Sequence, residues 1–209
     1  MQPFRVLTAT AAPLLRDNID TDVIIRIEKL VGMTDHSELG RWCFGALRYL
    51  PDGSDNPEFV LNQAPYRGSK ILLAGANFGC GSSREGAVWA MMQMGLKAVL
   101  ALSFGEIFYN NCFQNGALPV ELVRSSIEEI ASELEPDAGR AVVTVDLERQ
   151  RVVSPRGKEY TFEVPGLRRE ALLEGLDDIE LTLKREAMIA AHQKRDRKLR
   201  PWIYESVEV

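Results

Sequence analysis

The sequence is poor in residues that hold metals or disulfides. Its 209 residues include three cysteines, Cys43, Cys80 and Cys112, and two histidines, His36 and His192. The cysteines are odd in number, far apart and without a Cys-x-x-Cys pair, so free thiols in a reducing compartment are expected rather than a disulfide framework. A zinc site or iron–sulfur cluster held wholly by this chain is not expected either. No apolar run approaches membrane-spanning length. The opening Met1-Gln2-Pro3-Phe4-Arg5-Val6-Leu7 lacks a signal-peptide core, which leads us to expect a cytoplasmic protein. An excess of positive charge is also missing. The net charge of −5 and pI near 5.2 argue against a nucleic-acid surface. Only the tail is basic, at Lys194, Arg195, Arg197 and Lys198, and cations there suit a solvated helix C-terminus. No internal repeat is present. What the chain does have is an ordinary globular balance, 45% apolar and 26% charged, with ample material for a core.

Strand and helix patterns alternate through the middle of the chain. Arg5 to Thr10 reads as a strand, Asp17-Asn18-Ile19-Asp20-Thr21-Asp22 as a polar turn, and Val23-Ile24-Ile25 as a short buried strand. Residues 32–69 look irregular, with turns at Pro51-Asp52-Gly53 and Asn56-Pro57. Strands are expected at Ile71 to Ala74, Ala98 to Leu102 and Ala117 to Val120. Helices are expected at Arg84 to Met94, after a capping box of Ser103 and Glu106, and after a second box of Ser125 and Glu128. This β-α-β-α-β series predicts an α/β fold with a mainly parallel sheet. After Pro136, short strands at Val142 to Val145, Arg151 to Val153 and Tyr160 to Val164 predict a small antiparallel layer. Ile179, Leu183, Ala187 and Ala190 then keep the spacing of a C-terminal helix.

The run from Gly75 to Ala87 carries the most chemistry. Gly79 and Gly81 permit a tight bend and close approach of a ligand to the backbone. Ser82, Ser83 and Arg84 follow at the expected start of a helix, where free N–H groups and the dipole favour an anion. A guanidinium there grips a carboxylate with two parallel hydrogen bonds. The run lacks the third glycine of a dinucleotide fingerprint and the Gly-Lys-Ser/Thr of a phosphate loop. A plain structural turn with exposed serines is the bland alternative. Asp17, Asp20 and Asp22 lack calcium-loop spacing and read better as a turn built on Asx hydrogen bonds. Cys80, close to the expected helix start, sits where a thiolate is favoured. The amides from Asn110 to Asn115 read mainly as loop ties.

Four segments together resemble a known family. They are Asp17-Asn18-Ile19-Asp20-Thr21-Asp22, Asn56-Pro57-Glu58-Phe59-Val60-Leu61-Asn62, Ala76-Asn77-Phe78-Gly79-Cys80-Gly81-Ser82-Ser83-Arg84-Glu85 and Ile107-Phe108-Tyr109-Asn110-Asn111-Cys112-Phe113. Their order is similar to that in the small-subunit family of the isopropylmalate dehydratases, within the aconitase superfamily. The resemblance implies one swivelling β/β/α three-layer domain over residues 1–209, like the last domain of aconitase, with residues 137–209 as a β-hairpin layer and C-terminal helical extension. It implies a separate large subunit carrying a 4Fe–4S cluster, in a heterodimer or heterotetramer, and a small dicarboxylate substrate. The activity implied is a hydro-lyase of leucine biosynthesis, interconverting 2- and 3-isopropylmalate by dehydration and rehydration. By position, Ser82 is then the general base and Asp22 orients a catalytic group across the interface, while Ser83, Arg84, Thr21 and Val31 contact substrate. The chain departs from the family pattern at Gly86, where a histidine is usual, at Arg26, where proline is expected, and at Ala46-Leu47-Arg48, which replaces an Asp-Trp-Arg run. These departures leave open a hydro-lyase acting on citraconate or dimethylmaleate. A non-catalytic carboxylate-binding module is the alternative from another class.

Overall fold

The computed structural model describes residues 1–31, 38–82, 84–137 and 139–204. Strand β1 (Val6–Leu14) joins two kinds of sheet. Its first half, Val6 to Thr10, runs antiparallel to β5 (Val142–Asp146), and its second half, Ala11 to Leu14, runs parallel to β2 (Ile71–Ala74). Outside β2 lie β3 (Ala98–Ala101) and β4 (Leu118–Glu121), both parallel. Outside β5 lie β6 (Arg151–Val153) and β7 (Glu159–Thr161), both antiparallel. Among the described residues this makes one seven-stranded sheet, ordered β4-β3-β2-β1-β5-β6-β7. The expected antiparallel strands therefore continue the parallel sheet, because β1 is long enough to pair with both neighbours.

Strand residues alternate between two cores, as the pleat requires. Leu72, Ala74, Val99 and Ala101 face a cluster formed with α2 (Leu39–Trp42), α4 (Glu85–Met94) and α5 (Glu106–Asn115). Ile71, Leu73, Leu100 and Val120 face the other cluster, which they share with Val143, Val145 and Val152. Helix α6 (Arg124–Leu134) seals that side with Ile127, Ile130, Ala131 and Leu134, the spacing of one helical stripe.

Several local expectations change. Val23-Ile24-Ile25 is not a strand. Helical turn α1 (Thr21–Ile24) forms because the Asp20 carboxylate accepts from the Val23 N–H at 2.7 Å, an N-cap that starts a helix. Neither serine caps its helix. Gly105 precedes α5 and Val123 precedes α6, with no side-chain cap at either. Ser103 is used elsewhere, accepting from the Asn77 N–H. The part of the irregular stretch that is described contains α2 and α3 (Gly45–Arg48), two single turns. A helix absent from the sequence reading, α7 (Gly166–Glu174), sends Leu172 into the core. The expected C-terminal helix is two, α8 (Asp178–Leu183) and α9 (Glu186–Leu199). Its periodic apolar residues do not pack inward, since Ile179 and Leu183 are 70% and 58% exposed.

Candidate active site

The loop after β2 is clamped to the Asp-rich turn by backbone chemistry. Asp17 accepts from the Ala76 N–H at 2.7 Å, and the Asn18 N–H donates to the Ala76 carbonyl at 2.8 Å. Asn18 and Asn77 both adopt left-handed backbone, at φ 57° and 58°, and their side chains bond each other at 2.9 Å. Further along, the Gly79 N–H donates to Ile19 at 2.7 Å and the Thr21 N–H to Cys80 at 2.9 Å. Gly79 is required twice over. Its φ is +73°, and a Cβ there would lie 2.1 Å from Cγ of Phe108. Phe108 is itself buried against Phe78, so the loop presses directly on the first core.

This clamp brings four of the expected site residues, Thr21, Asp22, Ser82 and Arg84, to one place. Ser82 is exposed, and its carbonyl accepts from the Thr21 hydroxyl at 2.9 Å; among the described residues no hydrogen bond engages the Ser82 hydroxyl. Arg84, mostly buried at its side chain, forms an ion pair with exposed Asp22. The hydrogen bond from Arg84 holds the Asp22 carboxyl below the usual carboxylate range, with the fields of Arg84 and Arg26 adding to it. The same bond raises the pKa of Arg84. Arg84 is also the N-cap residue of α4, so its backbone opens the helix at its N-terminal, dipole-positive end. Among the described residues no second hydrogen bond occupies that guanidinium, which keeps donors for a carboxylate. Thr21, Asp22, Ser82 and Arg84 thus converge. Ser83 lies outside the described residues. Val31 is 70% exposed at the end of the single turn Ile27–Lys29 and is bonded to none of the four.

Other candidates resolve into structure. Asp17 and Asp20 are spent on a long-range tie to the loop and on the cap of α1, rather than on the local Asx bonds expected of this turn. Cys80 does not favour a thiolate. Helix α4 begins five residues later, and desolvation together with the Asp20 carboxylate raises the thiol pKa. Burial raises Cys43 and Cys112 still further. Among the amides, Asn115 accepts from the Trp89 ring N–H at 2.9 Å and donates to Glu85 at 2.8 Å, tying α5 to the first turn of α4. Among the described residues no group of three or more His, Cys, Asp or Glu side chains is placed to hold a metal ion.

The departures at Gly86 and Arg26 have visible consequences. Gly86 is buried, and a Cβ there would stand 2.6 Å from Cδ2 of Leu30, so Leu30 fills the space that a larger residue would need. Arg26 lines a cavity with Asp22, Lys29, Arg41 and Trp42. Sequence reading found Arg26 as a departure but missed Lys29, Arg41 and Trp42, which carry no motif. No local signal was available, since Trp42 has one cation beside it in the chain, Arg41, and Lys29 comes from another turn.

A clamped glycine loop with a hydroxyl and a guanidinium beside a helix start, on this half-parallel sheet, defines the swivelling-domain class of the aconitases. The model of the aconitase C-terminal domain matches residues 1–125, and that of LeuD_N matches residues 128–166. The 3-isopropylmalate dehydratase small subunit of Gluconacetobacter diazotrophicus is 50% identical over 205 residues, covering 97% of each chain. That of Cupriavidus necator is 48% identical, covering 98% of this chain and 99% of its own. The crystal structure of 3-isopropylmalate dehydratase (leuD) from Methanocaldococcus jannaschii superposes with a TM-score of 0.64 at 30% identity, covering 90% of this chain and 99% of that one. The chain belongs to the 3-isopropylmalate dehydratase small-subunit family.

Proposed function

We propose that this chain is the small subunit of a 3-isopropylmalate dehydratase, a hydro-lyase of leucine biosynthesis. It interconverts 2- and 3-isopropylmalate together with a large subunit. The convergence of exposed Ser82 on the Arg84–Asp22 pair carries the reading at this site, and near full-length similarity supports it. Arg84 receives a substrate carboxylate through the donors that Asp22 leaves unused. The Ser82 oxygen takes the proton from the carbon next to that carboxylate, and the same hydroxyl returns a proton on rehydration. An ordinary serine hydroxyl hardly ionises near neutral pH, so the step needs the positive field of Arg84 and of the α4 N-terminus. Thr21 holds the Ser82 carbonyl and so sets where the hydroxyl points. Asp22 orients a group across the interface while it stays paired with Arg84, and Ser83 and Val31 complete the substrate contacts.

In this reading the large subunit holds a 4Fe–4S cluster, which supplies the Lewis acid for the departing hydroxyl. The pair forms a heterodimer or heterotetramer in the cytoplasm, and the domain moves as one swivelling unit over residues 1–209. Among the described residues no helix is long and apolar enough to cross a membrane. Mixing the chain with its large subunit and assaying 2-isopropylmalate tests the reading. Ser82→Ala is expected to lower kcat about 10²–10⁴-fold, the usual contribution of a general base, with substrate binding retained. A Ser82→Ala complex with full turnover would remove serine from the mechanism. Arg26 beside Asp22 favours a second reading, in which the diacid is citraconate or dimethylmaleate, and comparing turnover of the three acids decides between them.

A further inference from the structure

A cavity of about 780 Å³ opens next to the cradle, between α1, the Ile27–Lys29 turn, α2 and the turn around Pro51. Three cations line it, Arg26, Lys29 and Arg41, against one carboxylate, Asp22, which is already paired with Arg84. Among the described residues none of the three cations forms an ion pair. They are nevertheless held together. The Lys29 ammonium sits 3.7 Å from the centroid of the Trp42 ring, and the Arg41 guanidinium 5.2 Å from the same ring. The backbone carbonyl of Arg41 accepts from the Tyr49 hydroxyl at 2.9 Å, which fixes the base of that side chain. Like charges confined to one concave space repel each other unless an anion lies between them. Leu50 and Pro51 give the cavity an apolar wall, so the ligand that fits is an anion with a hydrocarbon body.

We propose that this cavity is a binding site for an organic carboxylate, gripped by Arg26, Lys29 and Arg41 with its carbon skeleton against Leu50 and Pro51. The carboxylate has two possible sources. It is the far end of the diacid held at Arg84, which rests on the dehydratase reading, or it belongs to a separate small acid, which does not.

The test uses the full chain, alone and with its large subunit. Amine acylation of Lys29 is followed by mass spectrometry, with exposed Lys70 as an internal reference. 2-Isopropylmalate or citraconate is expected to slow acylation of Lys29 and leave Lys70 unchanged, while their dimethyl esters protect neither. In a chain carrying Arg26→Gln and Arg41→Gln, checked for an unchanged melting curve, the concentration needed for half protection is expected to rise about tenfold or more, the loss typical of charge-assisted hydrogen bonds. In the complex, a KM for the diacid raised about tenfold, with kcat within about a factor of two, identifies the substrate's own carboxylate as the occupant. An unchanged KM alongside lost protection identifies a separate acid. The proposal is overturned if neither acid protects Lys29 in the parent chain, or if the double variant is protected equally well. A parent complex that turns over none of the acids tells against the dehydratase reading alone, because Lys29 protection is measured without turnover.

Discussion

The cradle around residues 75–84 and the cavity beside it share Asp22 but are built from different materials. Backbone hydrogen bonds and glycines make the cradle, with Gly79 touching the Phe108 ring and Asp17, Ile19 and Thr21 bonded across to Ala76, Gly79 and Cys80. Side chains make the cavity, as Trp42 gathers Lys29 and Arg41 over short helical turns. A backbone-built site holds its geometry against side-chain substitution and tolerates no change of shape. A side-chain-built site can alter its ligand through single substitutions. The difference suits the proposed roles, a reaction centre in the cradle beside a carboxylate site in the cavity.

Replacing one arginine on each side should separate the two regions most widely. Arg84→Gln removes the guanidinium paired with Asp22, and kcat/KM in the complex should fall about 10²–10³-fold, the loss of two charged hydrogen bonds. Arg41→Gln leaves Arg26 and Lys29 in place and should cost about tenfold at most. Equal losses at both positions would erase the distinction between cradle and cavity.

Stability gives the next largest contrast. Gly79→Ala forces a Cβ into the Phe108 ring at φ +73°, so unfolding in urea should register about 2–4 kcal/mol from left-handed strain plus overpacking. Gly53, at φ +84° on the cavity rim with nothing within 4 Å of its Cβ position, should lose only about 1 kcal/mol on the same change. Gly86→Ala falls between the regions. Its new methyl would meet the flexible end of Leu30 at 2.6 Å, and the cost should be about 1 kcal/mol. Adding Leu30→Ala should relieve part of it, with a coupling of about 0.5 kcal/mol or more. Strict additivity would mean that Leu30 moves aside freely.

The same division explains what the sequence makes legible. β2 and β3 can be read because central parallel strands are apolar on both faces and every residue of both is buried, and the edge strand β4 still buries three of its four residues. The cradle can be read because its glycines, serines and arginine are consecutive and answer to backbone geometry. Lys29, Arg41 and Trp42 cannot, since three side chains from two turns converge only after α2 docks on α4. That docking depends on Gly40, where a Cβ would lie 2.6 Å from the Gln93 backbone. Val23-Ile24-Ile25 misleads because an apolar triplet is ambiguous, and the cap from Asp20 decides it. Ser103 matches a capping box in spacing but bonds the Asn77 N–H across the sheet, a long-range competition that local pattern does not contain. Ile179 and Leu183 keep helical period on a face with no core beneath it, because period reports an apolar stripe and not what covers it.

Asp22 should yield the smallest effect, and it tests whether the two regions are electrostatically joined. Its folded-state carboxyl lies below the unfolded value, first through the hydrogen bond from Arg84 and then through the fields of Arg84 and Arg26. A lowered acid contributes stability that is complete above the unfolded pKa, near 4, and disappears as pH falls through the folded value. The side chain is 55% exposed, so solvent screening holds the contribution to a few tenths of a kcal/mol, the range of surface pairs. Urea midpoints measured between about pH 6 and pH 3 should therefore fall slightly less steeply for Asp22→Asn than for the parent chain. Arg26→Gln should recover a smaller part of the same difference, because it removes only the cavity's share of the field. Parallel curves for Asp22→Asn and the parent would mean that Arg84 gains nothing from its partner in the folded chain. The pair would then be a contact that adds nothing to the stability of the folded chain.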